Sequence, residues 1–244
     1  MDNHTSEYRF TIICPVYQER DNMERLEKRF AEYLPTCPVR ACVLFVNDGS
    51  TDGSAELIRE VCARNDDFYY IEFQRNCGLS AAIKAGIDYT ESEYLGYIDA
   101  DLQTAPEDFN LLLADIEDYS MVIGIRAARK DSAFKRIQSR IANGWRRMMT
   151  GDGAIDTGCP LKVLHTDVAK RIPLFKGMHR FFPALVLLQE GATYKQVPVR
   201  HFPREAGASK FHLWNRLAGP FMDCFAYRWM RPRYINYSVK DTDL

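Results

Sequence analysis

The sequence predicts an α/β fold, a mostly parallel sheet flanked by helices, and three observations carry that prediction. Short apolar runs rich in β-branched and aromatic residues recur along the first half of the chain, and stretches of helical pattern separate them. Polar clusters follow three of these runs directly, where an open α/β sheet binds its ligands.

The first strand is expected over residues 10–15, Phe10-Thr11-Ile12-Ile13-Cys14-Pro15, whose continuous apolar character suits a strand covered on both faces. A helix is predicted over 20–34, a second strand over 41–46 and a second helix over 53–64, with Asp52 placed to cap it. Strands at 69–73, 94–98 and 120–124 alternate with helices at 79–90 and 106–118. The last of these opens on Pro106, which lacks the donor that a first turn leaves unpaired, and continues with Glu107 and Asp108, which favour the positive end of the helix dipole. Beyond Asp131 the pattern loosens into a basic helical stretch over 133–149, a turn at Gly151-Asp152-Gly153, a helix over 180–190 and a late strand over 194–199.

Composition narrows the function classes. With 46% hydrophobic and 27% charged residues the chain of 244 residues is an ordinary globular one, not disordered, collagenous or fibrous. The apolar run Ala184–Leu188 falls far short of the roughly 18 residues of a membrane span. The polar start Met1–Glu7 does not read as a signal peptide, so a cytoplasmic location is expected. Seven cysteines (Cys14, Cys37, Cys42, Cys62, Cys77, Cys159, Cys224) form no CxxC pair, which predicts free thiols in a reduced compartment. The net charge of −1 hides an asymmetry: residues 1–124 carry 24 acidic and 10 basic side chains, residues 125–244 carry 9 and 22. The second half therefore either meets phosphate or an anionic membrane surface, or neutralises the first half by packing on it. A pI near 6.5 and the lack of a binding motif speak against nucleic acid.

Three strand ends carry the chemistry. The first ends Cys14-Pro15-Val16-Tyr17-Gln18-Glu19, the second Val46-Asn47-Asp48-Gly49-Ser50-Thr51-Asp52-Gly53, and the fourth Ile98-Asp99-Ala100-Asp101-Leu102-Gln103. All three would line one crevice. Residues 47–53 read either as a ribose- or base-binding turn or simply as a capped one. Asp99, Asp101 and Gln103 alternate along an extended strand end and offer two carboxylates and an amide oxygen. Such hard donors suit Mg²⁺ or Mn²⁺ shared with substrate phosphates, although a D-x-D alone is a weak signal.

At this point the residues acquire a likeness. Ile13-Cys14-Pro15-Val16-Tyr17-Gln18-Glu19, Val46 to Gly53, Asn76-Cys77-Gly78-Leu79-Ser80 to Gly86, and Asp99 to Glu107, in that order, resemble the family 2 glycosyltransferases. Within that family the chain looks most like the polyprenyl-phosphate sugar transferases typified by dolichyl-phosphate mannose synthase. Gly124-Ile125-Arg126, Lys135 to Arg140, Asp156 to Lys162, His179 to Leu185 and Arg204 to Phe211 resemble that subgroup's later motifs, so the likeness covers residues 8 to 230.

The resemblance implies a GT-A, Rossmann-like nucleotide-sugar-binding fold over 1–210, a C-terminal segment over 211–244, a nucleotide-sugar donor such as GDP-mannose, Mg²⁺ or Mn²⁺, and a polyprenyl (dolichyl or undecaprenyl) phosphate acceptor. By position, Pro15, Tyr17, Glu19, Val46 and Asp48 would hold the nucleoside. Asp99, Ala100, Asp101 and Gln103 would surround metal and diphosphate, with Arg204 and Lys210 closing over the diphosphate. Arg126, Lys135, Ser139 and Arg140 would receive the acceptor phosphate. Two departures stand out: Asn47 where an Asp is usual, and Thr104-Ala105 where Asp-Pro is usual.

The expected chemistry is inverting transfer of a hexose, mannose or glucose, catalysed by Asp101, Arg204 and Lys210. An acceptor phosphate is already ionised, so it needs positioning more than deprotonation. His165, His179, His201 and His212 are the candidates should a base be used. The basic stretch 126–147 reads as a phosphate or lipid contact or as a solvated helix face. Apolar residues at 214, 217, 221, 225 and 229 share one helical face, with Pro220 expected to kink or start a helix. That face suits either a membrane interface through residues 211–233, attached peripherally at the inner face, or a helix docked on the core or on a second copy in a homo-oligomer. Two further readings stay open: a saccharide hydroxyl as acceptor, and a binding module without turnover.

Overall fold

The computed structural model describes residues 3–126, 143–203, 218–237 and 239–241. Seven strands form one sheet: β1 (Phe10–Val16), β2 (Ala41–Asn47), β3 (Phe68–Glu72), β4 (Tyr94–Tyr97), β5 (Met121–Arg126), β6 (Lys162–His165) and β7 (Tyr194–Val199), in the order β3-β2-β1-β4-β6-β5-β7. Every residue of β1 and β2 is buried, which explains why both read as unbroken apolar runs. Six strands run parallel. The exception is β6, which pairs antiparallel with β4 on one side and with β5 on the other. This strand was not expected, because Lys162 and His165 at its ends break the apolar pattern of so short a segment.

Between the strands lie α1 (Met23–Tyr33), α2 (Ser54–Arg64) and α3 (Leu79–Tyr89), close to their predicted bounds. The helix expected over 106–118 is broken instead. A 3-10 turn at Pro106–Asp108 leads into α4 (Phe109–Leu113), and a second 3-10 turn follows at Ile116–Asp118. Tertiary bonds claim its polar residues: Asp108 is 3% exposed and accepts from the amide and Nε of Arg200, while Asn110 accepts from the Tyr33 hydroxyl. Residues 143–150, here α5, are helical and are the described part of the expected basic helix. A short α6 (Thr166–Lys170) follows β6. The helix expected over 180–190 shrinks to a 3-10 turn at Met178–Phe181 and α7 (Phe182–Val186), all five residues of which are buried. A helix buried all round has no polar face to mark its length.

Alternate strand residues point to opposite sheet faces, giving two core layers. Phe10, Ile12, Val43 and Phe45 meet Leu26 and Phe30 of α1 on one face. Ile13, Leu44 and Val46 meet Ile83 of α3, Leu185 of α7, and Cys224 and Tyr227 of α8 (Ala218–Met230) on the other. The tail is fastened there by the Tyr227 hydroxyl to the Ala184 carbonyl and by the Asn236 amide to the Leu188 carbonyl. Pro220 stands at the start of α8. Of the stripe predicted from the sequence, residues 214 and 217 lie outside the described residues, while Phe221, Phe225 and Trp229 are 46%, 46% and 65% exposed, with Phe221 and Phe225 packed against the Trp145 ring of α5. All seven cysteines are free.

Candidate active site

The register fixes where the polar ends meet. Pro15 pairs with Val46 and Val16 with Asn47, while Ile13 pairs with Tyr97. Strand order reverses between β1 and β4, so the endings of β1, β2 and β4 converge at the switch point of the sheet.

The first two loops are laced together. Gln18, held in the left-handed region at φ 55°, donates its amide to Ser50 Oγ at 3.0 Å and its side chain to Thr51 Oγ1 at 2.9 Å. The Glu19 amide donates to Ser54 Oγ and the Arg20 amide to Asp52. Burial pushes the Asp52 carboxyl up, but the bonds from Ser54 and the Arg20 amide outweigh it and hold the group below its ordinary value. Gly49 is required at its turn: its φ is 65°, and a Cβ there would lie 2.3 Å from the Arg75 carbonyl carbon.

Asp48 is 3% exposed and organises the next loop. Its Oδ1 accepts from the Cys77 amide at 2.6 Å, and its Oδ2 from the Gly78 amide at 2.9 Å and the Asn76 side chain at 2.8 Å. The carboxylate expected at the nucleoside is thus the anchor that sets the start of α3. Asn47 accepts from the Ser50 amide through Oδ1, and its Nδ2 is buried with no partner among the described residues. Pro15 is buried, Val46 is 0% exposed and Ala100 5%, so these three form the floor beneath the crevice. Tyr17 and Glu19 are half-buried at its edge, and Glu19 also accepts from the Asn22 side chain.

The ending of β4 holds the acidic group. Asp99 accepts from the Tyr97 hydroxyl. Burial and the nearby Asp101 push its carboxyl up to about 6, against the opposing influence of Tyr97, Lys162 and Arg126. Asp101 accepts from the Gln103 amide at 3.2 Å, across Leu102 at φ 52°. A non-glycine residue in that region stores strain that the surrounding contacts must hold. The loop after β7 does so: the Phe202 amide donates to the Gln103 carbonyl at 2.9 Å, His201 Nδ1 donates to the same oxygen at 3.1 Å, and the Gln103 side-chain nitrogen donates to the Phe202 carbonyl at 3.4 Å. Among the described residues no group of three or more His, Cys, Asp or Glu is placed to hold a metal ion. What the loop offers is two mutually repelling carboxylates and an amide oxygen, a donor set that a divalent cation with substrate phosphates would complete.

Across the crevice Arg126 and Asp156 form a bidentate pair, Nε to Oδ2 and Nη2 to Oδ1 both at 2.7 Å, with the side chains only 13% and 10% exposed. Arg126, expected at the acceptor phosphate, therefore already carries a carboxylate. That carboxylate takes two of its five N–H donors. Gly158 leaves room for the guanidinium, since a Cβ there would meet Nη2 at 2.9 Å. Lys162, 2% exposed, is the feature that sequence reasoning missed as more than part of a motif. Its ammonium donates to the Cys159 carbonyl and lies 5.4 Å from the centre of the Tyr97 ring, and burial lowers its pKa.

The histidines divide by role. His165 donates from Nε2 to the Ile116 carbonyl and His201 to Gln103. Ser80 Oγ accepts from the Gly177 amide and shares a second hydrogen bond with His179 Nδ1, 2.7 Å away, whose donor is set by the imidazole tautomer. Burial, with Arg180 and Lys162 nearby, pushes the His179 pKa down to about 3 and keeps the ring neutral. Lys135, Ser139, Arg140, Arg204, Lys210 and His212 lie outside the described residues.

Comparison with known proteins places these features in a family context. Residues 11–170 match the family model described as Glycosyl transferase family 2. Dodecaprenyl-phosphate galacturonate synthase of Rhizobium johnstonii is 32% identical over 206 residues, 82% of this chain and 61% of that protein. Undecaprenyl-phosphate 4-deoxy-4-formamido-L-arabinose transferase of Edwardsiella ictaluri is 34% identical over 205 residues, 83% of this chain and 63% of that protein. The chain thus spans about three-fifths of the length of these relatives. Their names carry a uronate and a formamido-pentose, so the mannose specificity expected from the sequence finds no support in them. The fold matches mannosyl-3-phosphoglycerate synthase of Rubrobacter xylanophilus with a TM-score of 0.68 at 12% identity, covering 98% of this chain and 79% of that one. It also matches glucosyl-3-phosphoglycerate synthase of Mycobacterium tuberculosis, solved with Mn²⁺, UDP-glucose and phosphoglyceric acid, with a TM-score of 0.65 at 11% identity, covering 96% and 83%. The GT-A expectation holds.

Proposed function

The chain belongs to glycosyl transferase family 2, and from that premise we propose that it transfers a sugar from a nucleotide-sugar donor to a polyprenyl phosphate. The observation that carries this reading is the Asp99, Asp101 and Gln103 group at the switch point, held by bonds to the loop after β7. The two relatives named for polyprenyl-phosphate sugar transfer supply the acceptor class. The sugar is left to experiment, with hexoses, uronates and amino-pentoses as the field.

Oxygens of Asp99, Asp101 and Gln103 would hold Mg²⁺ or Mn²⁺. Once bound, the cation would offset charge developing on the departing nucleoside diphosphate. The chain's own residues do the rest. Tyr17, Glu19 and the loops braced by Asp48 line the nucleoside side, over the floor of Pro15, Val46 and Ala100. Arg126, oriented by Asp156, presents its remaining donors to the acceptor phosphate, joined by Lys135, Ser139 and Arg140, while Arg204 and Lys210 close over the diphosphate. No general base is called for, because a phosphate monoester is already anionic near neutral pH, with a second pKa of about 6.

Attachment to the membrane belongs to the same reading. No helix among the described residues is long and apolar enough to cross a bilayer. The exposed Phe221, Phe225 and Trp229 of α8, with Arg228, Arg231 and Arg233, suit an interfacial contact within residues 211–233. The deciding experiment is mass spectrometry of lipid products after incubation with detergent-dispersed polyprenyl phosphate, Mn²⁺ or Mg²⁺, and a panel of UDP- and GDP-sugars. The expected result is a metal-dependent gain of one sugar mass on the lipid. Release of nucleoside diphosphate only with saccharide acceptors would replace this reading with transfer to a hydroxyl.

A further inference from the structure

Lys162 occupies a position that suits a leucine. It opens β6, paired with Tyr97 of β4 on one side and with Ile123 of β5 on the other, and it is 2% exposed. Its ammonium lies 5.4 Å from the centre of the Tyr97 ring and 6.0 Å from that of Phe182, and its hydrogen bond among the described residues goes to the Cys159 carbonyl. Burial lowers its pKa, Cys159, Asp99 and Asp156 oppose that shift, and Arg126 adds to it. Taking an ammonium out of water is costly, and an apolar side chain would fill this space without that cost. A chain that breaks a packing rule in this way is expected to do so for function.

The contacts of Lys162 lead to opposite sides of the crevice. Toward β4 the ammonium lies over the Tyr97 ring, and the Tyr97 hydroxyl donates to Asp99. Toward β5 the ammonium holds the Cys159 carbonyl, at the end of a turn that the Cys159 amide closes onto the Asp156 carbonyl at 3.4 Å. Asp156 opens that turn and fixes Arg126, accepting from its amide at 3.2 Å and from Nε and Nη2 at 2.7 Å. An unbroken series of contacts therefore runs Asp99, Tyr97, Lys162, Cys159, Asp156, Arg126. Its ends are the carboxylate assigned to the cation and the guanidinium assigned to the acceptor phosphate.

We propose that Lys162 is a positioning residue that holds these two half-sites at a fixed separation, through the Tyr97 ring on one side and the Cys159 turn on the other. The inference rests on the transfer reading above. In that reaction an oxygen of the acceptor phosphate bonds to the anomeric carbon as the bond from that carbon to the donor's diphosphate oxygen breaks, and the electron pair of the broken bond leaves with the nucleoside diphosphate. Direct displacement needs the two phosphates on opposite sides of one carbon. A shift of about 1 Å between the half-sites therefore costs on the order of 10²-fold in rate, while each half-site still binds its own ligand. Lys162, 2% exposed, acts through its neighbours and touches neither substrate.

The test is steady-state transfer by the full chain at saturating Mn²⁺, with nucleotide sugar and detergent-dispersed polyprenyl phosphate varied in turn and thermal midpoints to establish folding. Lys162→Met is expected to lower kcat at least about tenfold while both KM values stay within about threefold. A lysine that only filled space would leave kcat unchanged, and one that bound a substrate would raise a KM. Should Lys162→Met fail to fold, Lys162→Gln, which keeps a donor for the Cys159 carbonyl, is expected to lower kcat at least about fivefold. Tyr97→Phe removes only the hydroxyl that aims Asp99 and is expected to lower kcat severalfold. Because it acts in the same series, adding it to the Lys162 variant should lower kcat by no more than about threefold beyond the lower single variant. The proposal is overturned if the folded Lys162 variant keeps kcat within about threefold of wild type, if its loss lies in KM alone, or if the two losses multiply. A wild-type chain that forms no lipid product with any donor overturns the transfer reading and this inference with it, an outcome distinct from an active wild type whose Lys162 variants are equally active.

Discussion

The two sides of the crevice hold charge in opposite ways. On the side of β1, β2 and β4, carboxylates are positioned by neutral donors: Asp48 by two backbone amides and an asparagine, Asp99 by a tyrosine hydroxyl. On the side of β5 and β6, Arg126 and Asp156 cancel each other in a buried pair, and Lys162 sits under aromatic rings. Neutral donors position a carboxylate and leave its negative charge for a cation to use. An ion pair spends its charge internally and returns orientation instead. On the proposed function, one side takes up a cation and the other fixes the direction of a guanidinium.

The largest effect should come from removing the available charge. Asp101→Ala is expected to lower transfer by on the order of 10³, several kcal/mol of transition-state stabilisation, while thermal unfolding stays near that of the wild type. Retained turnover with bound metal would show that the carboxylates are scaffolding after all. The mirror experiment is Asp156→Ala, which strands a buried guanidinium. Breaking a buried pair costs about 3–5 kcal/mol, so urea unfolding should show a loss of that size. A loss under about 1 kcal/mol would mean that Arg126 finds water or another partner, and the contrast between the two sides would fail.

This division also explains what could be read in the sequence. Runs such as Ala41–Asn47 announce their burial one residue after another, and the motifs at their ends follow within a few positions, so the converging loops were legible. The polar side was not. Nothing local tells that Arg126 meets Asp156 thirty residues on, or that the segment holding Lys162 enters the sheet antiparallel between β4 and β5. A lysine at the start of a four-residue strand looks like a solvated end until Tyr97 and Phe182 are seen above and beside it. The 106–118 helix failed for a related reason. Its capping signals were sound locally, and Arg200, ninety residues downstream, claimed Asp108.

A third experiment places His179 between the two sides. Its ring joins the start of α3 to the Gly177 turn through Ser80, and burial with Arg180 and Lys162 pushes its pKa down to about 3 from an ordinary 6.5 or so. The folded state therefore refuses a proton that the unfolded chain accepts. The stability this contributes is complete above pH 6.5 and is lost as the pH falls toward 3. Between pH 7 and pH 5 the loss should be about 2 kcal/mol, and His179→Gln should unfold with a shallower pH slope than the wild type. Equal slopes would show that the ring takes its proton in the folded state.

The smallest effect is expected at the most buried charge. Lys162 is 2% exposed, yet its ammonium donates to a backbone carbonyl and forms no ion pair with a carboxylate among the described residues. Lys162→Met keeps the length of the stem against Tyr97 and Phe182, removes the desolvation cost of a cation, and leaves only the Cys159 carbonyl without its donor. These contributions oppose one another, so urea unfolding should move by less than about 1.5 kcal/mol in either direction, the range for a volume-conserving core change. Asp156→Ala and Lys162→Met thus remove opposite charges from one buried cluster and are expected to differ severalfold in cost. If Lys162→Met proved as costly as Asp156→Ala, the ammonium would have to be balancing Asp99 and Asp156 at a distance, and the cluster would behave as a network of four charges instead of a pair with a neighbour.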